Sequence, residues 1–145
     1  MLSFTSSLSS DSDAFVIFVN EKYEYKNKGN LLTNSTVQKI NSFLSFLKAK
    51  KKEDDICSFD ISDKQKCFII KVKKNFESYW PQEKGGSFFS YLKKINHLKK
   101  VDIYADSLYL EEDKLISFFS QFIFGVNLKS YVFNKYKTIN TKKIN

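Results

Sequence analysis

Arginine is absent from this chain; its 24 strongly basic residues are all lysine. Arginine is the residue that grips phosphate and guanine through a planar, two-pronged contact, so the chain lacks the usual tool of a sequence-reading nucleic-acid binder. Histidine occurs once, as His97, and cysteine twice, as Cys57 and Cys67. A zinc site takes three or four His, Cys or carboxylate ligands in recognisable spacing, which this inventory does not supply. Two cysteines are also too few for a disulfide-stapled secreted scaffold. Both sit in apolar stretches that read as strands, where buried reduced thiols are expected. A dyad of either cysteine with His97 has no local signature behind it, and His97 reads as a solvated residue near a helix end. Glycine is limited to positions 29, 85, 86 and 125, and proline to Pro81. Phosphate-cradling loops need glycine-rich turns; only Gly85-Gly86 qualifies, and close helix packing or a flexible lead-in explains that pair equally well. No run approaches the ~20 apolar residues of a membrane-spanning helix. The first residues have neither the basic nor the apolar region of a signal peptide. These absences lead to the expectation of a soluble, cytoplasmic protein with no membrane partner.

What is present is bulk and charge. Hydrophobic residues make up 42% of the 145 residues, including 15 Phe and 8 Tyr. One domain is the natural size, and a chain of this length buries about 70% of its unfolded surface. The net charge is +8 and the pI about 9.3. Residues 61 to 100 hold ten lysines against three acids, so nearly all of the excess lies there. Two readings fit. The lysines, with Tyr79, Trp80 and Tyr91 among them, suit a surface that tracks a nucleic-acid backbone and stacks bases; Lys71, Lys73, Lys74, Lys93, Lys94, Lys99 and Lys100 are the candidate contacts. Alternatively they form a solvated face around core aromatics, in a chain whose Lys, Asn, Ile and Phe reflect an AT-rich genome.

Hydrophobic periodicity predicts an α/β fold. Residues 3 to 12 offer a short edge strand and then a turn. Residues 14 to 19 are an unbroken apolar run, as in a strand covered on both faces. A turn at 27 to 30 precedes a helix capped by Ser35 or Thr36, with Val37, Ile40, Phe43, Leu44 and Leu47 on one face. Lysines at 48 to 52 suit its end. Strands at 56 to 61 and 66 to 72 are joined by a hairpin, and 73 to 84 read as a loop. Gly85-Gly86 opens a second helix with Phe88, Phe89, Leu92, Ile95 and Leu98 inside. A strand at 101 to 106 follows. The last helix starts near Glu111, Glu112 and Asp113, where carboxylates favour a helix start. Its apolar residues cover much of the circumference, so it is expected to be deeply packed or shared with a partner surface. The alternation argues a mixed sheet with helices on its faces. The carboxylate runs at 53 to 55 and 111 to 113 read as solvated caps rather than acid–base pairs.

Residues 125 to 138 read G-x-x-L-x-S-Y-x-F-x-x-Y-K-T. That order resembles the end of the N-terminal domain of the leucyl aminopeptidases, the M17 family of dinuclear-metal peptidases. Residues 68 to 72 sit where that family has a core strand, and 85 to 89 where it has a Gly-Gly helix start. Val132 and Asn134 depart from the basic and acidic residues often found there. The resemblance implies a macrodomain-like α/β domain over 1 to 138, then the start of an interdomain linker at 139 to 145. It implies that Tyr131, Phe133 and Tyr136 pack, either in the domain core or against a following domain. The family's two divalent metals (zinc, manganese or magnesium) are held in a C-terminal catalytic domain, so no cofactor and no catalytic or metal residue is carried onto this chain. The partners implied are that catalytic domain and further copies in a hexamer; some bacterial members also bind DNA. Macrodomains bind ADP-ribose through glycine-rich loops, which this sequence does not show.

Overall fold

The longest apolar run becomes the centre of a sheet. In the computed structural model, residues 3–5, 11–27, 31–50, 54–95 and 98–144 are described, with backbone alone at 3–5 and 133–144. Five strands, β1 (Ser3–Thr5), β2 (Ala14–Val19), β3 (Ile56–Asp60), β4 (Lys66–Lys71) and β5 (Lys100–Ile103), form one sheet in the order β1-β5-β2-β4-β3. β2 pairs in parallel with β4 on one side and β5 on the other, and β1 pairs in parallel with β5. Every residue of β2 is buried, as an unbroken apolar run in a parallel environment requires. β3 adds to β4 as an antiparallel edge, with Asp60 opposite Lys66. Their connection closes through Ile61 and Ser62, whose N–H groups both donate to the Gln65 carbonyl. The α/β class and the mixed sheet expected from the sequence are those of the structure.

The chain divides into two compact units, Met1–Asn75 with His97–Tyr109, and Phe76–Asn96 with Leu110–Asn145. The first holds the sheet and helix α1 (Asn34–Lys50). Ile40, Leu44 and Leu47 are its buried residues, spaced to fall on one helix face. They join one core cluster with Phe15, Ile17 and Val19 of β2 and Cys67 and Ile69 of β4. Burying one such aliphatic side chain contributes about 1.5–3 kcal/mol. The cap is Thr33, not Ser35 or Thr36: the Thr33 Oγ1 accepts the Thr36 N–H at 3.3 Å, which is the N3 amide of a helix starting at Asn34. Of the turn expected at 27 to 30 and the lysine run at 48 to 52, residues 28 to 30, Lys51 and Lys52 lie outside the described residues, as does Glu53.

The second unit is a pair of helices, α2 (Trp80–Lys93) and α3 (Glu112–Ile144). α2 begins five residues before Gly85, so the loop expected over 73 to 84 ends at Tyr79. Pro81 stands in its first turn, where a missing N–H costs nothing and the fixed φ suits the helix. Pro81, Gly85, Phe88, Phe89 and Leu92 form its buried side. It ends at Lys93, so Ile95 and Leu98 are not part of it. α3 starts where the acidic residues indicate, and its backbone continues through 139 to 144, the segment expected as the start of a linker. Phe118, Phe122 and Val126 are buried on it. Phe122 packs on Phe88 at 5.8 Å between ring centroids, and Phe118 meets Phe76 edge-on at 5.8 Å.

Candidate functional site

Open sheets with parallel strands hold ligands at the carboxyl ends of those strands, so that edge comes first. After β2, Asn20 ties the chain into a closed loop. Its Oδ1 accepts the Lys22 N–H at 2.9 Å and the Glu24 N–H at 2.8 Å, and its Nδ2 donates to a Glu24 carboxylate oxygen at 3.0 Å. Tyr23 takes a left-handed φ of 62° inside this loop, and the Lys71 ammonium lies over its ring at 5.2 Å. After β5, Ser107 is fully buried. Its Oγ accepts the Phe18 N–H at 2.9 Å and donates to the Tyr104 carbonyl at 2.6 Å. The Phe18, Lys22 and Glu24 N–H groups at this edge are thus engaged by the protein's own side chains.

The core of the same unit holds a small titratable cluster. Burial pushes the Cys67 thiol well up, and the neighbouring Cys57 adds to the shift. Tyr25 is raised too, first by burial and then by Cys67 and Tyr104; its hydroxyl donates to Asn41 Oδ1 at 3.1 Å. A thiol held protonated in the core is a poor nucleophile, so Cys67 acts as a small hydrophobe. His97, the imagined partner of the cysteines, lies outside the described residues. Among the described residues no group of three or more His, Cys, Asp or Glu is placed to hold a metal ion. Among them, too, no helix is long and apolar enough to cross a membrane.

The seven candidate lysines fall in three places. Lys71, Lys73 and Lys74 lie at the carboxyl end of β4, where Lys71 aligns with Val19. Lys99 precedes β5 and Lys100 begins it, where the Lys100 carbonyl accepts the Asp13 N–H. Because β4, β2 and β5 run the same way, these two groups stand at opposite ends of the strands, about 20 Å apart at 3.3 Å per residue. Two of these ammonium groups are engaged within this unit: Lys100 pairs with Asp11 at 3.2 Å, and Lys71 lies over the Tyr23 ring. Lys93 and Lys94 belong to the other unit, at the end of α2, with the Lys93 ammonium 5.3 Å over the Phe89 ring. Trp80 is stacked on Phe76 at 5.7 Å rather than offered to a base, while Tyr79 is exposed.

In the helix pair, Gly85 serves close helix packing, one of the two readings open in the sequence. A Cβ on Gly85 would collide with the Phe122 carbonyl oxygen, and one on Gly125 with the Gln82 carbonyl oxygen. Gly86 has room: its nearest neighbour for a Cβ is the Gly125 carbonyl oxygen at 3.8 Å. An open groove of about 460 Å³ beside Gly86 is lined by Ser87, Ser90, Lys94 and Lys129, with Glu83 on the same rim. Among the described side chains of α3, Ile116, Phe124, Leu128, Tyr131 and Val132 are large, apolar and exposed. Tyr131 is 65% exposed, so it is not part of the core. Phe133 and Tyr136 lie on the same helix, and their side chains are outside the description. The sequence signal for this face was the excess of apolar residues around α3, more than one buried side can use. Comparison with protein-family profiles, with curated proteins and with solved structures finds no match for the chain.

Proposed function

We propose that the chain is a non-catalytic N-terminal domain of a leucyl-aminopeptidase-like metallopeptidase, working in assembly and in access to the active site. One observation carries the reading. The segments that resemble that family, around Gly85-Gly86 and from Gly125 onward, are the segments through which α2 and α3 approach each other. They serve as packing elements of one helical unit, as a scaffolding role requires. The mixed α/β sheet is also of the class that the resemblance implies. The comparisons add nothing to this reading, which rests on the residues and their placement.

In this account the chemistry belongs to a domain C-terminal to residue 145, which holds the two divalent metals (zinc, manganese or magnesium). The partners are that domain and further copies of the chain, in the cytoplasm. Two experiments test it. The reading frame downstream of Asn145 is expected to encode a domain with clustered Asp, Glu and Lys metal ligands; a stop codon directly after Asn145 contradicts the peptidase part. Residues 1–145 alone are expected not to cleave leucine amides with manganese or zinc added. Cleavage abolished by a chelator contradicts the non-catalytic part.

A further inference from the structure

Gly85 and Gly86 are neighbours in different circumstances. Gly85 is required by backbone: a Cβ there would collide with the Phe122 carbonyl oxygen. Gly86 is not. The atoms nearest to its Cβ position are the Gly125 carbonyl oxygen at 3.8 Å and the Lys129 Cβ at 3.9 Å, both at ordinary contact distance. Glycine inside a helix is less stable than alanine, and helix packing does not call for it at 86. What the missing side chain leaves there is space.

That space is the floor of the groove of about 460 Å³, a volume within the range of small-molecule sites. Glu83, Gly86, Ser87, Ser90 and Lys94 of α2 line it, at intervals of three and four that put them on one helix face. Lys129 enters from α3 and meets α2 at Gly86. Ser90 lies midway between Gly86 and Lys94, about 6 Å along the helix from each. The two lysines thus flank the Ser87 and Ser90 hydroxyls, one arm from each end. Among the described residues, neither the Lys94 nor the Lys129 ammonium is held by a hydrogen bond, an ion pair or an aromatic ring.

Two ammonium groups beside two hydroxyl donors suit a doubly charged oxyanion. Lysine binds phosphate as a point charge, and a serine hydroxyl donates to a phosphoryl oxygen. A carboxylate carries one charge and would leave one of the two ammonium groups unmatched. Glu83, the one acid on the rim, stands about 16 Å along the helix from Lys94. There it repels a second anionic group and accepts from a hydroxyl. We propose that this groove binds a phosphate group through Lys94, Lys129, Ser87 and Ser90, with Gly86 keeping its floor open. The site lies within the helical unit and does not depend on the peptidase reading.

Amide NMR of the natural protein at fixed ionic strength tests it, with inorganic phosphate and glycerol 1-phosphate as probes against a chloride background, because lysine contacts are screened by salt. Saturable shifts in the millimolar range are expected at the Gly86, Ser87, Ser90 and Lys129 amides, and the tighter of the two probes tells free phosphate from a monoester. Lys94→Ala with Lys129→Ala is expected to weaken binding tenfold or more. Lys48→Ala with Lys64→Ala removes the same charge from the other unit and is expected to leave binding unchanged. Gly86→Leu, which fills the floor, is expected to abolish it, and circular dichroism checks that each variant folds. Absence of saturable shifts with both probes overturns the proposal. So does an equal loss of binding in the two double variants, which would mark general charge attraction rather than a site.

Discussion

Gly85 and Gly125 are reciprocal. Gly85 of α2 lies where any Cβ would strike the Phe122 carbonyl oxygen of α3, and Gly125 of α3 lies where any Cβ would strike the Gln82 carbonyl oxygen of α2. Each glycine sits three residues from the carbonyl that confronts the other. The two backbones thus approach through a pair of residues with no side chain.

Gly85→Ala and Gly125→Ala are each expected to destabilise the protein. Helix propensity favours Ala by about 1 kcal/mol, but the clash is with backbone, and overpacking of this kind costs about 1–3 kcal/mol or more. Gly86→Ala, with space for its Cβ, is expected to be neutral or slightly stabilising. Urea melts of the three variants decide it; equal effects at 85 and 86 contradict the packing.

Ser107→Ala removes the acceptor of the Phe18 N–H in the middle of the core. Leaving a buried donor unpaired costs about 1–3 kcal/mol, and thermal unfolding is expected to show a loss of that order. Amide exchange at Phe18 should accelerate in the same variant.

Asn20→Ala is expected to free the loop after β2, at a cost of about 1 kcal/mol for an exposed cap-like residue. Exchange at the Lys22 and Glu24 amides reports it directly. Asn20→Asp keeps the acceptor but loses the Nδ2 donor and sets a second carboxylate beside Glu24, so partial protection is expected at neutral pH.

Cys67 makes stability fall in alkali. Its thiol titrates higher in the fold than in the unfolded chain, where the value is about 8.5. The folded state therefore keeps its proton longer. This contribution is whole below that pH and declines as pH rises through the folded value. Tyr25, raised in the same way, acts in the same direction somewhat above. Urea melts between pH 7 and 10 are expected to show the loss, reduced in Cys67→Ala. In Cys57→Ser protein, a thiol reagent should label Cys67 only as fast as the fold opens.

Much of this fold is legible in the residues, and the failures have physical causes. The run at 14 to 19 is apolar throughout, which only a strand buried on both faces tolerates. The face of α1 follows from the three- and four-residue spacing of Ile40, Leu44 and Leu47. The start of α2 was obscured because Gly85-Gly86 reads as punctuation when nothing shows what lies opposite; Pro81 in the first turn was the better signal. The lysines between 64 and 100 look like one patch because they are close in sequence. Parallel strands separate them, since the chain must return to the starting end of the sheet before β5 can run beside β2. The exposed apolar residues of α3 are not distinguished in the sequence from its buried ones, because both are apolar and only Gly125 marks the side that faces α2.

The claim that this chain works by assembly is tested most directly by sedimentation equilibrium of the natural protein. The account predicts a species larger than the 17.0 kDa chain. A natural protein that sediments as a 17.0 kDa monomer across the micromolar range would contradict it.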